Sequence, residues 1–122
     1  MYAAYAEDRK FLKELNAGTS ALVLLSVVDR ASEPIYGYQI AKIIDAGSTN
    51  APMMKQGALY PVLRSLEKTG LLESTVEPSV TGPPRRYYRI TDDGRAALER
   101  WTAIWNENKS FVDSILKGTY HE

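Results

Sequence analysis

The chain has no cysteine, and its one histidine, His121, stands next to the last residue. Disulfides, thiolate zinc sites and cysteine nucleophiles are excluded by arithmetic, and imidazole chemistry has nothing to use inside the fold. There is no Gly-rich phosphate loop, no cluster with metal-ligand spacing and no nucleophile set beside a base, so catalysis is the weakest reading and neither a metal nor a cofactor is expected. Long apolar runs are missing too. The longest, Ala21 to Val28, falls far short of the roughly 18 residues that span a bilayer. Glu7 and Asp8 interrupt the start where a leader would be apolar, so a cytoplasmic location with no membrane partner is expected. Net charge is absent as well, with 15 basic residues against 15 acidic ones, which counts mildly against a polyanionic partner.

What is present suits one compact domain: 122 residues, 44% of them hydrophobic and 25% charged, the balance of an ordinary globular fold. The charge, however, is unevenly placed. Met1 to Met54 carries five basic and six acidic residues, Lys55 to Ile90 six and three, and Thr91 to Glu122 four and six. A positive middle third inside a neutral chain reopens the case for phosphate.

Hydrophobic spacing divides the chain. Tyr2, Tyr5, Phe11, Leu12 and Leu15 among alternating charges predict an amphipathic helix that Asn16 and Gly18 interrupt. Thr19 or Ser20 then caps a second helix, apolar nearly all round through Val28 and hence central. Ser32 to Pro34 break the chain, and Ile40, Ile43 and Ile44 mark a short helix from about Tyr36 to Ala46, followed by a loop over 47–52. Leu59, Val62, Leu63 and Leu66 give the most regular stripe, from about Gln56, with Gly70 as its stop. Pro61 falls four residues after Gly57, where its ring is tolerable. Leu71 to Glu77 and Arg86 to Ile90 read as two strands joined by a stiff turn over 78–85. Thr91 caps a last helix that runs to about Leu116, with Asp92 and Asp93 favoured by its dipole.

Two short helices followed at once by a hairpin is the order of a winged helix-turn-helix: mainly α with a small β-hairpin, plus N-terminal and long C-terminal dimerisation helices. The major groove admits one helix, and a hairpin beside it reaches neighbouring phosphates. Duplex DNA is therefore the expected partner. On the helix, Lys55 and Arg64 suit phosphates or guanine edges, Lys68 extends the basic face, Gln56 suits adenine, and Gly57, without a side chain, lets the backbone approach, with Ala58 next to it on the DNA-binding stretch. Tyr36 and Tyr38 lie near a helix start, where one hydroxyl can reach a phosphate or simply pack, Tyr60 flanks the outer face, and Arg85 and Arg86 supply charge at the wing. The rival reading is a winged helix that only docks on an acidic protein.

The last helix carries a second feature. Leu98, Trp101, Trp105, Asn108, Val112 and Ile115 recur at steps of 3 and 4, a heptad seam that Ile104 and Phe111 widen. One chain cannot hide it, so a homodimer is expected, with Phe11 and Leu15 of the first helix joining the interface. The domain then reads as a winged-helix core over 17–90, with 1–16 and 91–122 forming the dimer interface.

Taken together, Tyr36-Gly37-Tyr38, the run from Gly57 to Glu67 that includes Leu59-Tyr60-Pro61, and the run from Gly82 to Thr91 followed by Gly94 resemble the signature of PadR-type transcriptional regulators over residues 18 to about 105. The resemblance implies a dimeric repressor released by a small ligand, commonly a phenolic acid or another toxic aromatic compound. The single C-terminal helix is similar to the short subfamily, whose multidrug-responsive members hold flat aromatic drugs at the dimer interface; Trp101 and Trp105 then either pack the dimer core, the commoner use of such spacing, or stack on a planar guest. Lys55 and Ala58 depart from the family pattern, which often has hydroxyl residues there. Operator sequence does not transfer for that reason.

Overall fold

The structure is a computed structural model that describes residues 5–47 and 56–119, with the side chains at 56 and 57 outside the description. Tyr2, the loop over 48–52, Lys55 and His121 fall outside the described residues. The elements run α1 (Ala6–Arg30), β1 (Ile35–Tyr36), α2 (Gly37–Gly47), α3 (Gln56–Lys68), β2 (Leu72–Ser79), β3 (Gly82–Ile90) and α4 (Asp92–Lys117). The three strands form an antiparallel sheet in the order β1-β3-β2.

The first correction concerns the N-terminus, where one helix replaces the two expected. Thr19 does not cap a new helix; its hydroxyl donates to the Leu15 carbonyl one turn back, at 3.1 Å. A glycine inside a helix costs only about 1 kcal/mol relative to alanine, and burial of Leu24, Leu25 and Val28 in the core outweighs it. An 18-residue window of α1 reaches a mean hydropathy of 1.4, so by length and composition this helix could cross a bilayer. In its apolar C-terminal half Leu24 and Leu25 are fully buried in the core, and Ala21, Val23 and Val27 pack half-buried against it.

Around α1, Ile40 and Ile44 of α2, Leu59, Leu63 and Leu66 of α3, and Leu72, Tyr88 and Ile90 of the sheet complete one core. The two-residue β1, unread in the sequence, pairs Ile35 with Tyr88 and Tyr36 with Tyr87. That pairing ties the entrance of α2 to the sheet. Gln39 Oε1 accepts from the Tyr36 backbone N–H at 3.2 Å, so the third residue of α2 satisfies a donor that helix entry leaves open.

The hairpin also differs from expectation. Ser79 pairs with Gly82, leaving a turn of only Val80 and Thr81, and Pro83 and Pro84 belong to β3. Between the Glu77–Arg85 and Ser79–Gly82 pairs, β2 contributes Pro78 alone against two prolines on β3. A bulge of this kind needs no regular ladder, and β1 does not extend this far, so the missing proline N–H groups cost little. Arg85 and Arg86 consequently lie in the paired body of the wing, below its tip.

The head joins α4 through a compact joint. Gly70 ends the α3 turn at φ 81°, a backbone region that glycine enters without strain. Thr91 then donates its hydroxyl to the Gly70 carbonyl at 2.7 Å, accepts from the Gly94 N–H at 2.9 Å, and donates its own N–H to the Leu71 carbonyl at 3.1 Å. Gly94 is buried against Leu71, and a Cβ there would collide with the Leu71 carbonyl oxygen. At the other end Gly118 closes α4 in the left-handed conformation.

Candidate nucleic-acid interface

The face of α3 opposite Leu59, Leu63 and Leu66 presents Ala58, Pro61, Arg64 and Lys68 to solvent. Pro61 sits inside α3, removing the N–H that would have bonded the Gly57 carbonyl. Among the described residues, Arg64 and Lys68 make no hydrogen bond or ion pair. The remaining described cations of this segment are all engaged. Arg89 Nε donates to Glu73 Oε1 at 2.6 Å, Arg86 Nη1 to Ser74 Oγ at 2.9 Å, and the Arg85 guanidinium lies 4.6 Å from the centre of the Tyr36 ring. The positive charge seen in the sequence therefore divides into a free part on α3 and a tethered part on the wing.

Sidedness separates the two adjacent wing arginines. Arg86 faces the side that buries Tyr88 and Ile90, which is the side α3 packs against, whereas Arg85 shares the opposite side with Tyr87. There Tyr36 forms the hub of an aromatic cluster. Its ring meets Tyr87 edge-on at 5.3 Å and Tyr38 in a stacked arrangement at 6.4 Å, and Lys42 Nζ lies 5.4 Å from the Tyr38 ring. Such cation–ring contacts contribute about 0.5–1 kcal/mol at exposed sites. Tyr36 and Tyr38 are thus packing partners of each other and of the wing, with half of Tyr38 still open to solvent. Lys42 was not signalled by the sequence, because it reaches the cluster only through the turn of α2.

Tyr60 links the two short helices. Its ring lies over Gly37, where a Cβ would come within 2.7 Å of the phenolic oxygen. The glycine between Tyr36 and Tyr38 is thereby explained as room for the Tyr60 ring. On the wing side of α3, Ser74 Oγ donates to Glu67 Oε2 at 2.7 Å while accepting from Arg86. The phenol of Tyr88 lies nearby, and burial, followed by the charge of Glu67, raises its pKa above the ordinary tyrosine value.

The expected interface residues also divide. Leu98 and Trp101 pack against the head's own core. From there outward the stripe is uncovered, with Ile104 60% and Phe111 62% exposed and Trp105, Asn108, Val112 and Ile115 also open. Phe11 is 66% exposed and Leu15 partly so. Leu15, Leu22, Trp101, Ile104, Trp105 and Asn108 line a groove of about 490 Å³ between α1 and α4. No group of three or more metal-ligating side chains occurs among the described residues.

This arrangement has relatives. An uncharacterized protein of Lysinibacillus sphaericus is 35% identical over 83 residues, which cover 68% of this chain and 76% of that protein. The crystal structure of a PadR family transcriptional regulator from Eggerthella lenta matches with a TM-score of 0.75 at 34% identity, covering 88% of this chain and 90% of that one. A PadR-like transcriptional regulator from Bacillus cereus matches with a TM-score of 0.66 at 31% identity, covering 84% and 96%. The profile of the transcriptional regulator PadR-like family fits residues 24–100, which runs from the buried leucines of α1 through the free face of α3 and the wing into α4. With that match over the whole winged-helix head, the chain belongs to the PadR-like family of transcriptional regulators.

Proposed function

We propose that the protein is a cytoplasmic, homodimeric repressor that grips a pseudo-palindromic operator and releases it when a small aromatic compound binds. The observation that carries the DNA reading is the free pair Arg64 and Lys68 on the outward face of α3, in a segment whose other described cations are engaged by their own chain. In this reading α3, with Gln56, Gly57 and Ala58 in its first turn, enters the major groove, and Lys55, which precedes it in the sequence, adds a further cation. Tyr36, Tyr38 and Tyr60 adjoin the backbone, and Arg85 and Arg86 bring the wing alongside the neighbouring phosphates. Two heads related by a two-fold axis then address half-sites about 34–36 Å apart.

The dimer is supported by the uncovered stripe from Ile104 to Ile115 together with Phe11 and Leu15, which a second copy of the same surface would bury. The effector reading is supported by the groove beside Trp101 and Trp105, whose volume lies in the usual range for small-molecule sites. A ligand that favours the geometry unable to bind DNA by about 1–3 kcal/mol weakens the operator complex roughly 5- to 150-fold.

The test starts from duplexes selected by the native chain out of a random pool, with affinity read by fluorescence anisotropy across salt concentrations. Arg64→Ala combined with Lys68→Ala is expected to lower affinity at least about tenfold and to reduce the slope of log K against log salt by about 2, close to one unit per lost phosphate contact. Unchanged affinity and slope would sink the assignment. A native chain that binds no duplex, yet retains an acidic protein, would favour the docking module instead.

A further inference from the structure

Arg86, Ser74 and Glu67 form a chain of hydrogen bonds that crosses from the wing to the recognition helix. A guanidinium has only donors and a carboxylate only acceptors, so the hydroxyl between them must accept from Arg86 and donate to Glu67. The polarity of the chain is fixed by chemistry, and both of its ends are charge-assisted. Its position matters as much. Leu72, Tyr88 and Ile90 anchor the base of the hairpin in the core, but the next pair outward, Val76 and Arg86, is exposed. Among the described residues, no hydrogen bond or ion pair farther up the wing reaches α3. Glu67, on the turn after Arg64, is therefore the last handle by which the helix holds the hairpin.

We propose that Glu67 and Ser74 are positioning residues for DNA binding: they fix the Arg86 guanidinium and the angle between wing and recognition helix, and touch no DNA themselves. The inference rests on the DNA-binding reading above. Because Arg86 Nη1 is engaged by Ser74, the outward N–H groups of the same guanidinium are held in one orientation and are free to meet a phosphate. Ordering occurs before the duplex arrives, so binding does not have to supply it.

Two measurements test this, and the first needs no DNA. The cysteine-free chain accepts spin labels at Lys68→Cys and Thr81→Cys, which report the distance between the end of α3 and the wing tip. A narrow distance distribution is expected for the otherwise native chain and for Ser74→Thr, which keeps the hydroxyl, and a broader one for Ser74→Ala and Glu67→Ala. Equal widths in all four overturn the proposal. The second measurement uses unlabelled protein, a selected duplex and a duplex of unrelated sequence. Ser74→Ala is expected to lose about tenfold in affinity for the selected duplex, the scale of one charge-assisted hydrogen bond, with its salt slope unchanged because Arg86 keeps its charge. Ser74→Thr restores the affinity. A reduced slope in Ser74→Ala, or full affinity, overturns positioning. If the native chain selects no duplex, the DNA reading fails, and the label distances decide the wing–helix tie alone.

Discussion

The head and the outer half of α4 are built from the same kinds of side chain and solve opposite problems. In the head, Leu24, Leu25, Leu59 and Leu63 lose essentially all contact with water inside one chain. Along α4 only Gly94 and Ala97 are buried, and Ile104, Phe111, Val112 and Ile115 stay open although their spacing is as regular as that of the core. Apolar periodicity therefore reports that a face wants cover, not where the cover comes from. The head finds it in its own sheet and helices. The arm leaves its stripe open along the described residues.

Substitutions can break this contrast, beginning with the largest effect on the chain itself. Leu63→Ala leaves a cavity in a fully buried site and is expected to cost about 3 kcal/mol in chemical denaturation. Gly94→Ala forces a methyl against the Leu71 carbonyl oxygen, where backbone must move, and about 2 kcal/mol is expected from the same measurement. Tyr88→Phe acts only in alkali. The phenol's pKa is raised in the fold, so the stability it contributes is whole below pH about 10 and is lost as pH rises through the higher folded value. The phenylalanine variant is expected to begin alkaline unfolding at a higher pH. Ile104→Asp with Phe111→Asp is expected to change the stability of the single chain by less than about 0.5 kcal/mol, since both side chains already face water. The same pair should abolish self-association in sedimentation velocity and remove the concentration dependence of melting. Association that survives both aspartates would mean that the stripe is covered from within the chain's own surroundings, not by a second copy.

Much of the head is legible in the sequence because its signals are local. The stripe of α3, the Gly70 stop and the Thr91 cap each depend on neighbours within one or two turns, and each occurs where it is expected. What the sequence hides is decided between elements. Asn16 and Gly18 look like a break, yet α1 runs through them, with its C-terminal half held by the packing of Leu24, Leu25 and Val28. Three prolines around Gly82 look like a loop, yet they occupy a bulge where no partner needs their N–H groups. The candidate site divides in the same way. Arg64 and Lys68 share a face by helical spacing alone. That Arg85 stacks on Tyr36, and that Arg86 reaches Glu67 through Ser74, depends on strand sidedness and on the two-residue β1, neither of which periodicity reveals.

The joint at Thr91 and Gly94 has a mechanical consequence. Because the first turn of α4 is pressed against the Leu71 backbone with no side chain between them, the helix leaves the head at a set bearing. At 1.5 Å per residue its 26 residues make a rod of about 39 Å, so a tilt of about 10° at the glycine would swing the far end by about 7 Å. Any partner gripping that end holds the long arm of a lever whose fulcrum is one missing methyl group. A displacement of a few ångströms out there returns to the head as a rotation.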